Sequence, residues 1–284
     1  MRRALRALPM AALAFAIALP AWAGTLDDIK ASGTIKVGFR EDARPFAFVG
    51  QDGKPAGYSV ELCDRIASQL AEELGLPGLN VEYVPVKASE RIDMLLSGKI
   101  DIECGSSTQT LERREKVDFS LLTFITGAEM LTRKDSGIND LGTLAGRKVG
   151  VLGGTTTESG LLAGLQRRGI TAEVITVPTH AEGLARLESG EIDAYFGDRV
   201  LLILLALDAQ DPSSLKLSGH FYSYEPYALM MRRGEDDLRL AADRTLARLY
   251  RSGDIGEVYR RWFGDSNPSD LLKALYVTQG LPEK

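Results

Sequence analysis

Apolar and polar positions along this chain switch repeatedly between two periods. Residues 34–39, 81–86, 100–104, 148–152, 173–177 and 194–196 are short apolar runs, the pattern of buried strands. Between them, apolar positions recur every three or four residues. The stretch 59–74 puts Cys63, Ala67, Leu70 and Leu74 on one face and stops at Gly75 and Pro77, which predicts an amphipathic helix. A second helix is expected over 89–96. Gln51-Asp52-Gly53 marks a turn between extended pieces. A strand beginning near Tyr227 precedes helices expected over 236–251 and 256–263. Strands alternating with helices predict an α/β fold with largely parallel sheets.

The pattern also repeats itself. Leu96-Ser97-Gly98-Lys99-Ile100-Asp101 returns as Glu188-Ser189-Gly190-Glu191-Ile192-Asp193, and Lys36-Val37-Gly38 returns as Lys148-Val149-Gly150, in the same order. Two lobes on one plan are therefore expected. Residues 24–128 with 227–284 form the first, and 129–226 the second. Two chain crossings, near 127–133 and 226–232, form the hinge. In such folds ligands bind in the crevice at the carboxyl ends of strands.

The chain start adds a compartment. Arg2, Arg3 and Arg6 precede an apolar stretch from Leu8 to Trp22, and Ala21-Trp22-Ala23 is a small-x-small site. That is the layout of a secretory signal peptide. The stretch is short of the ~20 residues that span a bilayer. Residues 1–23 are expected to be removed, leaving a soluble, exported chain that starts near Gly24. The whole chain carries a formal charge of −5, and losing those arginines makes it more acidic. This gives no electrostatic reason to expect nucleic acid, and an anion site has to be built from local cations. The two cysteines, Cys63 and Cys104, both point toward a core. An oxidising compartment permits one disulfide between them; two buried thiols are the alternative.

Candidate chemistry gathers just after the strands. Gly105-Ser106-Ser107-Thr108-Gln109-Thr110 follows one strand and leads to a helix containing Arg113. Gly153-Gly154-Thr155-Thr156-Thr157-Glu158 follows another and also leads to a helix. Free backbone N–H groups and small hydroxyls at a helix start make an anion cradle. Thr155 with Glu158, and Thr179 with Glu182, have capping-box spacing, so ordinary capping explains either loop alone. Asp198 follows the strand 194–196, as an N-cap or as the partner of a ligand ammonium. Arg40 follows the strand 34–39. Arg91 lies in a helix first turn, where it opposes the macrodipole. His180, at another helix start, is expected to be a neutral donor.

Taken together, Glu103-Cys104-Gly105-Ser106-Ser107-Thr108 with Leu111-Glu112-Arg113, the Gly154-Thr155-Thr156 loop, His180, and Asp198 after Ala194-Tyr195-Phe196 resemble the periplasmic glutamate/aspartate-binding proteins of ABC importers. The resemblance spans essentially the whole mature chain. It implies the two-lobed periplasmic-binding-protein fold, a periplasmic monomer, an acidic amino acid as ligand, and importer membrane subunits as partners. It implies no cofactor, metal or catalytic residue. On this sequence, Arg113 with Ser106, Thr108, Thr155 and Thr156 would take the α-carboxylate, Asp198 the α-ammonium, and Arg40, Arg91 and His180 the side-chain carboxylate. One position departs from the family pattern: Ala88 stands where a serine is usual, with Ser89 beside it.

Other functions are weighed on the same residues. An enzyme resembling periplasmic cyclohexadienyl dehydratases needs a poised acid or base. Asp198 and Glu129 are available, but three cleft arginines are expected to keep an acid ionised. The Gly150–Gly154 turn lacks the spacing of a dinucleotide or phosphate-loop fingerprint. A sensory domain passing occupancy to a membrane receptor would use every one of these site residues.

Overall fold

The structure, a computed structural model, describes residues 24–284. The expected signal peptide and its cleavage site lie outside the described residues. The chain begins with α1 (Thr25–Ser32), β1 (Thr34–Phe39), β2 (Asp42–Ala43), β3 (Ala47–Val49), β4 (Pro55–Ala56), α2 (Tyr58–Leu74) and β5 (Asn80–Pro85). Next come α3 (Arg91–Leu96), β6 (Ile102–Glu103), α4 (Leu111–Arg114) and β7 (Val117–Thr126). After Gly127 follow β8 (Ala128–Arg133), β9 (Lys148–Leu152), α5 (Thr156–Arg168), β10 (Glu173–Val177), α6 (His180–Ser189), β11 (Ala194–Asp198), α7 (Arg199–Leu207) and β12 (Leu215–Leu217). The chain ends with β13 (Glu225–Arg232), α8 (Asp236–Ser252), α9 (Ile255–Phe263) and α10 (Asp270–Gln279).

These elements make a two-lobed α/β fold with one five-stranded sheet in each lobe, ordered β5-β1-β6-β13-β7 and β10-β9-β11-β8-β12; β2, β3 and β4 form a small separate sheet. The chain leaves the first sheet at Gly127 and returns through residues 218–224. The first crossing is thus narrower than expected, and the second falls earlier than 226–232, since β8 pairs in the second sheet from Ala128 and β13 in the first from Glu225. The sheets are also less parallel than expected. β1 runs parallel to β5 and β6, and β9 to β10 and β11. β13 and β8 run antiparallel to both their neighbours. A strand joined by a returning helix repeats its direction; β8 and β13 instead arrive from the other lobe.

The internal repeat is a joint built twice. Asp101 Oδ2 accepts the Lys36 N–H, and Asp193 Oδ2 the Lys148 N–H, both at 2.9 Å. Arg232 Nη1 donates to the Leu95 and Ile100 carbonyls; Arg133 Nη1 donates to those of Leu187 and Ile192. A Cβ at Gly38 would come within 2.5 Å of Ile100 Cδ1, and one at Gly150 within 2.5 Å of Ile192 Cδ1. The two short sequence echoes are therefore the two halves of one contact, glycine against isoleucine and strand start against aspartate. The strand expected over 100–104 shortens to β6, and Asp101 just before it holds the start of β1 through both its backbone N–H and its side chain.

In the first lobe α2, α8, α9 and α10 bury residues such as Ile35, Val37, Ile66, Leu70 and Leu246. In the second, separate clusters form around Val149 and Leu161 and around Leu187 and Tyr195. No described helix is long and apolar enough to cross a membrane. Cys63 on α2 and Cys104 beyond β6 are joined as a disulfide, with Cα atoms 6.4 Å apart. The bond anchors the point from which the 105–110 loop departs. Replacing both cysteines by alanine is expected to lower stability by about 3–4 kcal/mol, for a sequence separation of 41 residues. Denaturant unfolding of oxidised protein measures this; an unchanged midpoint would contradict it.

Candidate functional site

Each candidate residue sits where a strand hands over to a loop or helix. Arg40 follows β1, Arg91 opens α3 after β5, and Ser106 and Thr108 follow β6. From the second lobe, Thr155 and Thr156 follow β9, His180 opens α6 after β10, and Asp198 ends β11. These residues line one tight cavity between the lobes, with Leu152, Thr157 and Leu201. The lobes meet closely. A Cβ on Gly154, whose φ is +74°, would fall 2.6 Å from Ser89 Cα, and Asp42 on β2 accepts the His180 backbone N–H.

Arg113 is the one candidate outside the cavity wall. It stands behind Thr108, donating from Nη1 to the Thr108 carbonyl at 2.8 Å. Its one-turn helix begins at the Thr110 cap, which leaves the guanidinium facing the loop it supports. Thr155 lines the cavity, but its hydroxyl caps α5: it accepts from Glu158 N and donates to the Leu152 carbonyl. The expected capping boxes are half formed. Glu158 reaches Gly154 N, and Glu182 pairs with Arg186, instead of returning to the cap residue. Ala88 is buried, and Ser89 meets Gly154 without joining the wall.

The charges differ from the sequence expectation of three arginines against one aspartate. Arg40 is held by Asp42 at 2.5 Å. Burial pushes the Asp42 carboxyl up, but Arg40 and His180 outweigh it and leave it below the usual range. Glu103 and Glu225, both buried, lie close enough to Arg113 to support its charge against burial, which lowers it. Arg91 is different. It is 2 % exposed, and among the described residues it forms no ion pair and its Nε has no partner. Burial, opposed by Glu103 and reinforced by Arg113 and Arg40, lowers it to about 9. It still carries its charge at neutral pH.

Asp198 is buried. Its Oδ2 accepts from the Tyr227 hydroxyl, while Oδ1 has no partner. The arginines do not keep it low, contrary to expectation. Burial, helped by Glu225, raises it to about 7. It makes no side-chain cap on α7. His180 is lowered to about 4, by burial and then by Arg40, so it is neutral as expected. Its Nδ1 lies 2.9 Å from the Tyr195 hydroxyl. If that hydroxyl donates, Nε2 carries the ring proton. Glu129 is fully buried at the hinge, bonded to Gly219 N and 3.5 Å from Arg199, and is not on the cavity wall.

Sequence reasoning missed Asp42, Tyr195, Tyr227 and Glu225, and gave Glu103 no role. Asp42 was within reach, two residues from Arg40. Tyr227 and Glu225 lie on a strand that only the second crossing brings to the site.

A buried cation and a buried anion acceptor on one cavity wall match the two charges of a small zwitterion. Comparisons with known proteins agree. Residues 35–265 match the bacterial extracellular solute-binding proteins, family 3. The chain is 35% identical over 246 residues to an L-glutamate/L-aspartate-binding protein of Pseudomonas aeruginosa, covering 86% of this chain and 82% of the relative. It is 32% identical to a glutamate/aspartate import solute-binding protein of Escherichia coli, over 91% of this chain and 89% of the relative. It is also 30% identical to an L-cystine-binding protein of Escherichia coli, over 93% and 96%. Among solved structures, an ancestral amino-acid-binding protein described as a precursor of cyclohexadienyl dehydratase superposes with a TM-score of 0.74 at 30% identity, covering 84% of this chain and 99% of that one. With its two lobes, its cleft of strand ends and this match over most of its length, the chain belongs to the family 3 bacterial extracellular solute-binding proteins.

Proposed function

We propose that this protein captures glutamate or aspartate in the periplasm and delivers it, as a monomer and without chemical change, to the membrane subunits of an ABC importer. The observation that carries this reading is the pair of unpartnered buried groups in one cavity, the Arg91 guanidinium and Asp198 Oδ1. A buried charge left alone costs several kcal/mol. An amino acid with a second carboxylate supplies both missing partners. In this assignment Asp198 takes the α-ammonium. The backbone N–H groups opening α5 take the α-carboxylate, and Arg113, standing behind Thr108, adds positive charge there. Arg91 and the neutral His180 take the side-chain carboxylate, while Arg40, already paired, adds positive potential. The lobes follow the expected division, 24–128 with 227–284 and 129–226, moved by one or two residues so that Ala128 joins the second lobe and Glu225 the first; residues 1–23 export the chain.

The enzyme reading gains one observation, since a carboxyl raised to about 7 is suited to proton transfer. Against it, Asp198 Oδ2 is already committed to Tyr227, and the comparable ancestral structure is itself described as amino-acid-binding. Incubation with a cyclohexadienyl substrate is expected to release no product.

Isothermal titration is expected to show glutamate or aspartate bound at least about 100-fold more tightly than glutamine, which cannot neutralise Arg91. Arg91→Met should bring the two within about tenfold of each other. An unchanged ratio would rule out Arg91 as the selecting residue.

Scattering should show compaction on saturation with the bound amino acid, because only closed lobes make both sets of contacts. Unchanged dimensions would count against a shared site.

The pH dependence follows from Asp198. Ammonium binding needs the ionised carboxylate, and the buried carboxyl takes up a proton at about 7. Affinity should hold above that value and fall below it, approaching tenfold per pH unit. Titration at about pH 8 and about pH 6 measures the fall, and Asp198→Asn should bind weakly at both with a flat profile. A flat wild-type profile would show that Asp198 does not meet the ammonium.

A further inference from the structure

Glu225 begins β13 just after the second crossing and is 2 % exposed. Its Oε2 accepts from Thr108 Oγ1 and from Thr156 Oγ1, each at 2.6 Å, and its Oε1 accepts from the Ser223 hydroxyl. Thr108 is bridged to Tyr227 beside the first sheet, whereas Thr156 opens α5 in the second lobe. One carboxylate oxygen therefore ties the lobes together at the cavity wall.

The tie fixes where two protons go. A threonine hydroxyl has one proton and two lone pairs, and a carboxylate has lone pairs only. A separation of 2.6 Å lies in the range of charge-assisted O–H···O⁻ bonds. The competing contact between Thr156 Oγ1 and Thr108 Oγ1 is 3.2 Å, the weaker claim on the Thr156 proton. Both protons therefore face Glu225, and both oxygens offer only lone pairs to the cavity. This reverses the role expected from the sequence, in which these hydroxyls donate to a ligand carboxylate. Asp198 Oδ1 is a third acceptor on the same wall, and it too has no partner.

We propose that Glu225 is a positioning residue: by orienting the Thr108 and Thr156 hydroxyls it makes them, with Asp198, an acceptor-only subsite that selects ligands bearing an ammonium group. The inference rests on the reading that the ligand is an amino acid whose ammonium meets Asp198. Glu225 acts through the two hydroxyls and through the lobe contact they share.

The test compares glutamate with glutarate, which has the same two carboxylates and no ammonium. Glu225→Met removes the acceptor and frees both hydroxyl protons. The wild-type preference for glutamate should then fall at least about tenfold, with glutarate held or improved. Glu225→Gln keeps a carbonyl oxygen for both hydroxyls and can turn its amide to Ser223, so it should keep the preference to within about threefold. Should the methionine variant fail to fold, Thr156→Val removes one acceptor from the first turn of α5 and should lower the same ratio. A purely structural tie would weaken both ligands alike, and an unmoved ratio in Glu225→Met or Thr156→Val overturns the proposal. Equal loss in the glutamine and methionine variants assigns the effect to charge and overturns it as well. If another amino acid is the ligand, the ratio is read against its own desamino counterpart. Binding of no amino acid by the wild type removes the functional reading and this inference with it, whereas binding with an unmoved ratio removes this inference alone.

Discussion

A buried guanidinium and a buried carboxylate oxygen, both dry and both without a partner, set the terms for this molecule. Arg91 comes from the first lobe and Asp198 from the second, and no ion pair joins them. In a low-dielectric interior an unpaired charge is expensive, and a half-satisfied pair is worse than none. The arrangement is stable only if something completes it or if the lobes part and let water in. Closure and ligand capture are thus one event seen from two sides. The hinge, with its single-residue crossing at Gly127, allows the lobes to part, and the cavity gives them a reason to meet.

The repeated joint explains how two lobes present matching edges. β1, β5 and β6 in the first sheet hold the same places as β9, β10 and β11 in the second. The site residues fall on equivalent positions. Arg40 after β1 corresponds to the Thr155-Thr156 turn after β9. Arg91 opening α3 corresponds to His180 opening α6. The Ser106–Thr108 loop after β6 corresponds to Asp198 at the end of β11. One frame, used twice, supplies mainly cations from one side and a neutral imidazole, an anion cradle and a carboxylate from the other.

How far the sequence revealed this depended on distance along the chain. Strands 34–39, 148–152 and 173–177 appear with those bounds, because a buried strand's apolar run is local information. The strand ends that carry Arg40, Arg91, His180 and Asp198 were equally readable, since each follows such a run directly. What failed was pairing. Spacing says nothing about which acid lies beside which base in space, so Asp42 on Arg40 and Glu225 on two threonines were invisible, and the expected surplus of three free arginines was too large. The direction of the Asp198 shift was misjudged for the same reason: arginines were counted, while the burial and the neighbouring Glu225 that outweigh them were not. The parallel sheets were overestimated because β8 and β13 look like any other strand until the path between lobes is known.

Correcting the charges sharpens the question of specificity. With Arg40 paired to Asp42, and Arg113 bonded to the Thr108 carbonyl, Arg91 is the one of the three guanidiniums with neither an ion pair nor a hydrogen bond among the described residues. In the proposed assignment the amino-acid head is met by groups that any ligand of this type would need, Asp198 and the start of α5, and discrimination between an acidic and a neutral side chain falls on Arg91, with His180 as a neutral second donor. A relative that binds cystine can share the frame and the head group at 30% identity, because the frame is indifferent to the side chain. The family fixes the fold. On the proposed reading, a single arginine buried at the contact between the lobes is what the rest of the ligand has to satisfy.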